Sequence, residues 1–222
     1  MFTNVQKQFL PTPKKSDYVF NLRDMSRVFH GQLDSNQQYF DDSTAFIKLW
    51  CHECFRVFGD CLIDSEDRTS FLRLFKNQLN TALSTKWPAL FKEDKEPTPH
   101  GAFVQEGPTY PYKEYPVFEE LQKFLQTQLD DYNEMGYNVP MNLVLFREAV
   151  YHTCRIMCII GRPFGHSLLI GLGGSGRQSL TRLAAYIMEM HFFQITMTRV
   201  YKNREFREDL KLVLDQTAIE QK

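Results

Sequence analysis

Residues 171–179 carry the sequence Gly-Leu-Gly-Gly-Ser-Gly-Arg-Gln-Ser, in which four of the first six positions are glycine. A short apolar run precedes this stretch at residues 167–170, and apolar residues follow it at the spacing of an amphipathic helix. Glycine permits positive φ, and the first turn of a helix has N–H groups without helical partners. A strand, a glycine turn and a helix in this order therefore predict a phosphate-binding loop rather than a merely flexible turn.

The stretch matches the pattern Gly-x-x-x-x-Gly-Lys-Ser/Thr at Gly171 and Gly176 and departs from it at two positions. Arg177 replaces the lysine, but its permanent positive charge and forked donors still suit phosphate oxygens. Gln178 replaces the hydroxyl residue that binds Mg²⁺, and Ser179 lies about 100° further round the helix, so it does not take over that role. We therefore expect phosphate binding with slow or absent hydrolysis, and without the usual Mg²⁺ ligand.

The residues predicted to contact the phosphates belong to the glycine turn and to the first turn of the following helix. They are Gly171, Gly173, Gly174, Ser175, Gly176, Arg177, Gln178 and Ser179. The predicted ligand is ATP or ADP. No catalytic carboxylate pair or nucleophile with its base is marked out by spacing, and no metal ligand set is predicted.

A dinucleotide-binding site is an alternative, because Gly171, Gly173 and Gly176 also satisfy Gly-x-Gly-x-x-Gly. Such a site needs an acidic residue after the next strand, where it binds the ribose hydroxyls. The next apolar run, residues 192–197, is followed instead by Thr198 and Arg199. Arg199 suits a phosphorylated ribose, so this alternative stays open, but a mononucleotide is favoured.

Composition and charge restrict the class of protein. The 222 residues include 26 basic and 27 acidic side chains, and this net charge of −1 gives no electrostatic reason to expect binding to nucleic acid or to a membrane surface. No apolar run approaches the roughly 18 residues of a membrane-spanning helix. Five cysteines, together with an N-terminus that lacks the apolar core of a secretory signal, favour a reducing compartment such as the cytoplasm.

Apolar periodicity predicts helices in most of the chain before the glycine turn. After an irregular lead-in over 1–16, the predicted helices cover 22–30 with Asn21 as N-cap and Gly31 as stop, 41–61, 68–83, 117–132, and 140–160 with Pro140 in the first turn. Strands at 167–170 and 192–197 then form one βαβ unit, and a last helix covers 205–219. Five prolines break the periodicity between Trp87 and Pro116, which predicts a module boundary there.

Apolar spacing also predicts which sides of these helices face a core. In the helix over 68–83 the residues on this side are Phe71, Leu72, Phe75 and Leu79, and in the helix after the glycine turn they are Leu180, Leu183, Ala184, Ile187 and Met188. For the first helix the side consists of Leu22, Met25, Val28 and Phe29, and for the second it consists of Phe46, Leu49, Trp50, Cys54, Val57, Phe58 and Cys61. The second helix also contains Cys51-His52-Glu53-Cys54, whose Cys-x-x-Cys spacing occurs in zinc and redox sites. No second pair of ligands follows at zinc-finger spacing, so core packing is the favoured interpretation for Cys54, as it is for Cys154.

Several blocks of the sequence resemble axonemal-type dynein heavy chains. The block from Gly165 to Ala185 is similar to the start of the fourth AAA+ module of these chains, in the version that has Arg177 where lysine is usual. Residues 18–29 and 49–60 resemble the helical lid that closes the third module, and residues 206–211 resemble the segment after the second strand of the fourth module.

The resemblance implies an α/β P-loop (AAA+) partial module preceded by a mostly α-helical lid region. Residues 1–96 would form the lid of the preceding module, 97–116 a Pro-rich linker, and 117–222 the N-terminal part of the P-loop module. A working hydrolase of this type also needs a later strand with acidic residues, which this sequence does not contain. The segment alone is therefore predicted to be inactive.

The resemblance also implies the biological setting. It places the chain in the ring of a dynein heavy chain, in a microtubule motor of cilia or flagella, where this module regulates or hydrolyses weakly. The implied partners are the remainder of the heavy-chain ring and, through the parent protein, the microtubule and the dynein accessory chains; the implied location is the cytoskeleton of the axoneme. It places Arg23 where a lid arginine reaches the nucleotide of its own module, although a solvated arginine fits equally well. A vacant, purely structural ring segment is the main alternative.

Overall fold

The computed structural model describes residues 1–91, 96–104, 110–136 and 140–218. The chain divides into two compact units, Met1–Phe118 and Glu119–Lys222, which are described separately. Within the described ranges, no helix combines the length and the apolar character that are needed to cross a membrane.

The first unit is mostly helical. Its elements are α1 (Phe2–Gln8), α2 (Leu22–Leu33), a 3₁₀ turn (Gln37–Tyr39), α3 (Ser43–Cys54), a π-helical turn (Phe55–Gly59), α4 (Ser65–Leu83), α5 (Trp87–Leu90), β1 (His100–Gly101) and β2 (Lys113–Glu114). The two short strands pair antiparallel, with His100 opposite Glu114. Helix α1 lies where an irregular lead-in was predicted, so that prediction was wrong. Packing explains the difference, because Val5 and Phe9 are buried in the core of this unit.

Helix α2 begins at the predicted cap. The Asn21 side chain accepts a hydrogen bond from the Arg23 N–H at 2.8 Å, and the Asp24 carboxylate accepts one from the Asn21 N–H at 2.9 Å. This reciprocal capping box satisfies N–H groups that have no partner within the helix.

We expect replacement of Asn21 by alanine to lower the free energy of unfolding of the first unit by about 1 kcal/mol, the usual cost of losing an N-cap. Urea unfolding followed by tryptophan fluorescence measures this, because both tryptophans, Trp50 and Trp87, lie in the first unit. The matched control is Ser26→Ala at an exposed position of the same helix. A loss no larger than that of the control would contradict the capping role.

The predicted core-facing side of α2 was wrong in part. Val28 is buried, but Leu22 and Phe29 are more than half exposed. Gly31 does not end the helix, which continues to Leu33. A Cβ atom at Gly31 would lie 1.9 Å from the Glu53 carboxylate, so this glycine allows α2 to approach α3 closely. The buried residues of α2 are therefore Asp24, Val28 and Gly31, rather than the whole apolar side that the spacing predicts.

The second predicted helix divides into α3 and the π-helical turn Phe55–Gly59. Leu49, Cys54 and Phe58 are buried as predicted, whereas Phe46 is 44% exposed and Cys61 is exposed. A π turn contains more residues than an α turn, and the helix has ended before position 61. Cys61 therefore leaves the core-facing side that a regular α-helical period assigned to it.

An aromatic cluster forms the centre of the first unit. Helix α4 contributes Phe71 and Phe75, which are both almost fully buried, as the sequence predicted. The Phe75 ring lies 5.0 Å from the ring of Phe55 and 5.1 Å from that of Trp50, measured between centroids. Trp87 from α5 packs on the same cluster, 5.7 Å from Phe55. Elements that are distant in sequence are thus joined by one set of rings.

The described residues of the Pro-rich segment 97–116 belong to the first unit; Pro108 lies outside the described residues. Phe103 is buried and stacks on Tyr115 at 5.1 Å between centroids. The Lys48 ammonium on α3 contacts the Glu114 carboxylate at 3.2 Å. Burial lowers the pKa of His100 in β1 to about 4. The segment thus packs onto α3, and the limits of the predicted lid, linker and module stay predictions.

The second unit contains helices that the amphipathic pattern largely predicted. They are α6 (Phe118–Glu134), α7 (Arg147–Ile160), α8 (Arg177–Ile187) and α9 (Asn203–Ala218). The buried residues of α6 are Leu121, Leu125, Leu129 and Tyr132. Those of α8 include Leu180, Leu183, Ala184 and Ile187, all at predicted core positions. The predicted end of the last helix, Ile219, lies outside the described residues.

Pro140 does not start a helix, because α7 begins only at Arg147. The Asn133 side chain at the end of α6 accepts a hydrogen bond from the Met141 N–H at 2.8 Å and donates one to the Met141 carbonyl at 3.1 Å. Gln122 donates to the Leu145 carbonyl at 2.5 Å. These bonds from α6 hold the chain between Met141 and Leu145, so the helix starts after it.

The predicted βαβ pairing is not present. Residues 167–170 and 192–197 form no ladder with each other or with another described segment. Leu168, Ile170 and Met197 are each at least 75% exposed. Strands of a parallel sheet are normally buried on both faces and need neighbours to satisfy their backbone groups. The described residues supply no such neighbours, which explains why these apolar runs remain unpaired.

Candidate nucleotide site

The glycine loop lies between a tight turn and helix α8. Gly161 follows the last residue of α7, as predicted. The Gly165 N–H donates to the Arg162 carbonyl at 3.0 Å, and a Cβ atom at Gly165 would lie 1.8 Å from the Ile159 carbonyl oxygen. The turn that leads toward the loop therefore packs against the end of α7. Helices α7 and α8 both bury apolar side chains in the second unit, so they give the loop a fixed base.

Two glycines of the loop have a backbone conformation that glycine adopts without steric cost. Gly174 has φ of 78° and Gly176 has φ of 76°, both in the left-handed region. Gly176 is also the N-cap of α8, directly before Arg177. A Cβ atom added at Gly173, Gly174 or Gly176 would meet no atom within 4 Å, so the surface of the loop is open at these positions. A nucleotide phosphate could therefore approach the backbone without a steric barrier from the described residues.

The loop presents backbone donors that the described part of the chain does not use. The Ser175 N–H donates to the Leu172 carbonyl at 3.3 Å. The other six N–H groups between Gly173 and Ser179 make no hydrogen bond within the described residues. They belong to Gly173, Gly174, Gly176, Arg177, Gln178 and Ser179. This donor set fits an anion, and the positive end of the α8 dipole adds to its attraction.

The Arg177 side chain lies across the N-terminal half of the loop. Its Nη2 atom donates to the Leu172 carbonyl at 3.1 Å, and Nη1 lies 3.4 Å from the Leu169 carbonyl. A Cβ atom at Gly171 would be 3.5 Å from Arg177 Cδ and 2.9 Å from the Ser175 hydroxyl oxygen. The predicted phosphate-binding arginine is thus at the loop, and its guanidinium contacts the loop's own backbone.

The predicted site residues form one continuous segment, in which the glycine loop is exposed as far as Ser175 and the start of α8 is in part half-buried. Gln178 is exposed and Ser179 is half-buried on the first turn of α8. The first turn of this helix contains no acidic side chain, so no carboxylate opposes an anion there. His166 is exposed, and Arg199 lies in an exposed stretch after the second apolar run. Neither of these two residues has a contact that assigns it to a ligand.

Four of the five cysteines contribute to the cores of the two units. Cys54 and Cys154 are both buried, and burial raises the pKa of each thiol well above its ordinary value. Neutral thiols of this kind act as small apolar side chains. Among the described residues, His, Cys, Asp and Glu side chains form no group of three or more that could hold a metal ion.

Comparison with known proteins agrees with this geometry. Residues 141–222 match the family described as the P-loop containing dynein motor region D4, and residues 1–85 match the AAA+ lid domain. The chain is 42% identical over 222 residues to dynein axonemal heavy chain 2 of Homo sapiens. It is 38% identical over 224 residues to the dynein-1-beta heavy chain, flagellar inner arm I1 complex, of Chlamydomonas reinhardtii. The chain belongs to the axonemal dynein heavy chain family.

This dynein segment spans a small part of the relatives that it matches. The alignments to the human and Chlamydomonas chains cover 100% of the segment but 5% of each relative. The ciliary dynein beta chain of Tripneustes gratilla is 41% identical over 217 residues, which is 94% of the segment and 5% of that chain. The predicted fold class, a partial P-loop AAA+ module after a helical lid, is confirmed. An axonemal location is confirmed by relatives named as axonemal, ciliary and flagellar chains.

Some features of this dynein segment were not predicted from its sequence. The carbonyl partners of Arg177 depend on how the loop folds, and no residue pattern reports them. The buried pair of Glu53 and Arg56 has an i, i+3 spacing on one helix, which is a usable signal for an ion pair. Arg23 is exposed at the start of α2, where its backbone N–H donates to the Asn21 side chain. Its suggested reach toward a nucleotide stays a prediction.

Proposed function

We propose that residues 171–179 of this dynein segment bind the phosphates of ATP or ADP. The observation that carries the proposal is the set of unused N–H groups from Gly173 to Ser179, next to the guanidinium of Arg177. Membership of a P-loop dynein family supports a nucleotide as the ligand. In this proposal the loop amides bind phosphate oxygens, and Arg177 adds a permanent positive charge. The Ser175 N–H joins them only if its bond to Leu172 opens.

We further propose that the bound nucleotide regulates or is hydrolysed slowly. Gln178 stands where a hydroxyl residue normally binds Mg²⁺, and an amide oxygen is a weaker ligand for this cation. Magnesium coordinates the transferred phosphate and neutralises charge during phosphoryl transfer. A site without that ligand retains the nucleotide better than it hydrolyses it. The module would then support a microtubule motor of cilia or flagella whose main hydrolysis occurs elsewhere in the ring, together with accessory chains.

A purely structural ring segment is the second candidate, and one observation favours it. The Arg177 guanidinium donates to the carbonyls of Leu169 and Leu172, so its charge already has partners within the loop. In this case no nucleotide would bind, and the loop would only connect packed helices. A dinucleotide is less favoured, because Arg199 stands after the second apolar run in place of the acidic residue that binds ribose hydroxyls, and it suits only a phosphorylated ribose.

Photoaffinity labelling separates these candidates. The heavy chain that carries this segment is irradiated with 8-azido-ATP or 8-azido-ADP, with Mg²⁺ or with a chelator, and the labelled peptides are mapped. Covalent attachment of the azido-nucleotide to peptides of the second unit supports nucleotide binding. Labelling that persists with the chelator indicates that Mg²⁺ has a minor role. Absence of labelling in this unit at millimolar nucleotide would sink the proposal and leave the structural candidate.

Replacement of Arg177 by alanine is expected to weaken the nucleotide-dependent labelling by about tenfold or more, because a hydrogen bond to a charged group contributes about 1.5–3 kcal/mol. The matched control is Arg182→Ala on the same helix, whose guanidinium contacts the Gln194 side chain at 3.1 Å rather than the loop. Half-saturation of labelling as a function of nucleotide concentration measures both variants. Equal affinity of the two variants would argue against Arg177 as a phosphate ligand.

A further inference from the structure

Arg177 connects both ends of the glycine loop. Arg177 is the first residue of α8, and its side chain contacts the carbonyls of Leu169 and Leu172, which precede the loop glycines Gly173, Gly174 and Gly176. The distances are 3.1 Å from Nη2 to the Leu172 carbonyl and 3.4 Å from Nη1 to the Leu169 carbonyl. The Leu172 carbonyl also accepts the Ser175 N–H at 3.3 Å. The Leu172 carbonyl thus accepts hydrogen bonds from both the Ser175 backbone and the Arg177 side chain.

The guanidinium retains donors beyond these two contacts. Arginine has five N–H groups in a planar fork, of which the two carbonyls use one on each terminal nitrogen. The Nε–H and one N–H on each terminal nitrogen remain. Lysine offers three donors on a single atom at the end of a flexible chain. An ammonium that bonded both carbonyls would have one donor left, and it would hold them through one point rather than through a rigid plane.

We infer that Arg177 is a positioning residue that holds the glycine loop in its open form before any ligand binds. The inference rests on the proposed function in one respect only, namely that the open form is the one that receives phosphate. The loop glycines have little steric restriction, since Cβ atoms at Gly173, Gly174 and Gly176 would meet nothing within 4 Å. An unbraced loop of this composition loses much conformational entropy when it becomes ordered. The guanidinium bridge reduces that loss.

The inference gives arginine and lysine different roles at this position. If Arg177 supplied positive charge alone, Arg177→Lys would leave the empty loop unchanged. With a brace, the same substitution keeps the charge but replaces the rigid planar bridge to the Leu169 and Leu172 carbonyls with, at most, contacts from a single flexible atom. The empty loop then samples more conformations, and the Ser175 N–H loses protection because its acceptor moves.

Hydrogen exchange followed by mass spectrometry tests this in the heavy chain that carries the segment, in the absence of nucleotide. We expect Arg177→Lys and Arg177→Ala to raise the exchange rate of the Ser175 amide by about fivefold, as for the loss of one net hydrogen bond. Peptides of α7 (Arg147–Ile160) should exchange at the wild-type rate. The matched control is Arg182→Lys, whose contacts are to Gln194 and to the Phe192 ring.

The outcomes distinguish this inference from nucleotide binding. A wild-type exchange rate at Ser175 in Arg177→Lys would overturn the brace, whatever the affinity for nucleotide. An equal rise in the loop and in α7 would also overturn it, because Arg177 would then stabilise the unit as a whole. Faster hydrogen exchange of the Ser175 amide in both Arg177 variants supports the brace, provided that exchange in α7 and in the Arg182 control is unchanged. If the braced wild type fails to label with azido-nucleotide, the proposed function fails and the brace stands.

Discussion

Replacement of Phe75 by alanine is expected to lower the free energy of unfolding of the first unit by about 3–5 kcal/mol. The side chain is fully buried in the aromatic cluster, and its ring centroid lies 5.0 Å from that of Phe55 and 5.1 Å from that of Trp50. Alanine removes the transfer free energy of the ring and leaves a cavity that rigid aromatic neighbours fill poorly. Urea unfolding monitored by tryptophan fluorescence measures the change.

The matched control for this prediction is Phe29→Ala. Its side chain is 54% exposed on α2, so its removal creates little cavity, and we expect a loss below about 1 kcal/mol. Because Trp50 lies next to Phe75, the fluorescence of the folded variant will itself change, and far-UV circular dichroism serves as the second probe. Similar losses for Phe75→Ala and Phe29→Ala would show that the cluster is not the stabilising core of the unit.

Replacement of Glu53 by alanine is expected to destabilise the first unit by a similar amount, about 3–5 kcal/mol, because it removes one partner of a buried ion pair. The Glu53 carboxylate is fully buried and accepts hydrogen bonds from Arg56 Nη2 at 2.6 Å and Nε at 3.1 Å. The Tyr112 hydroxyl donates to its other oxygen. The substitution deprives the Arg56 guanidinium, itself 8% exposed, of this counter-charge.

Glu53→Gln separates the two contributions to this loss. Glutamine keeps the volume and can still accept a hydrogen bond, so it should cost less than alanine while leaving Arg56 without a negative partner. The exposed Glu66→Ala in the first turn of α4 is the control, with an expected change below about 1 kcal/mol. If Glu53→Ala stays within that range, the buried pair contributes no more than a surface charge does.

Local patterns predicted much of the fold because several helices have strong, uninterrupted periodicity. Helix α4 buries Phe71, Phe75 and Leu79, and α8 buries the apolar residues that follow the glycine turn at helical spacing. Such helices need only one apolar side, and three- to four-residue spacing reports it directly. The Asn21 cap was predictable for the same reason, since capping involves only neighbouring residues.

The features that were not predicted depend on distant parts of the chain. Helix α1 is short and is stabilised by burial of Val5 rather than by propensity. The π turn after α3 changes which side chains face the core, and no composition signal marks it. The two apolar runs that flank α8 have strand-like sequences, but pairing requires partner strands that the described residues do not supply. Local sequence determines the tendency of a segment to be extended, whereas its pairing into a β-ladder depends on partner segments.

The sequence predicted where the candidate site lies, but not which hydrogen-bond acceptors the Arg177 side chain contacts. The glycine spacing located the loop, and the charge of Arg177 predicts that the loop binds an anion, which stays a prediction. Where the guanidinium points depends on the loop conformation, and this is the property on which phosphate binding and loop bracing both depend. A sequence pattern shows which donors are present, whereas the folded structure determines which of them already have acceptors.

The contact between Gly31 and Glu53 has an evolutionary consequence. Since a Cβ atom at Gly31 would lie 1.9 Å from the Glu53 carboxylate, the two positions share one volume. A related sequence with alanine or serine at position 31 can keep the same helix spacing only with a shorter side chain at position 53. The two sites are therefore expected to covary, with a larger residue at position 31 accompanied by a shorter or displaced side chain at position 53.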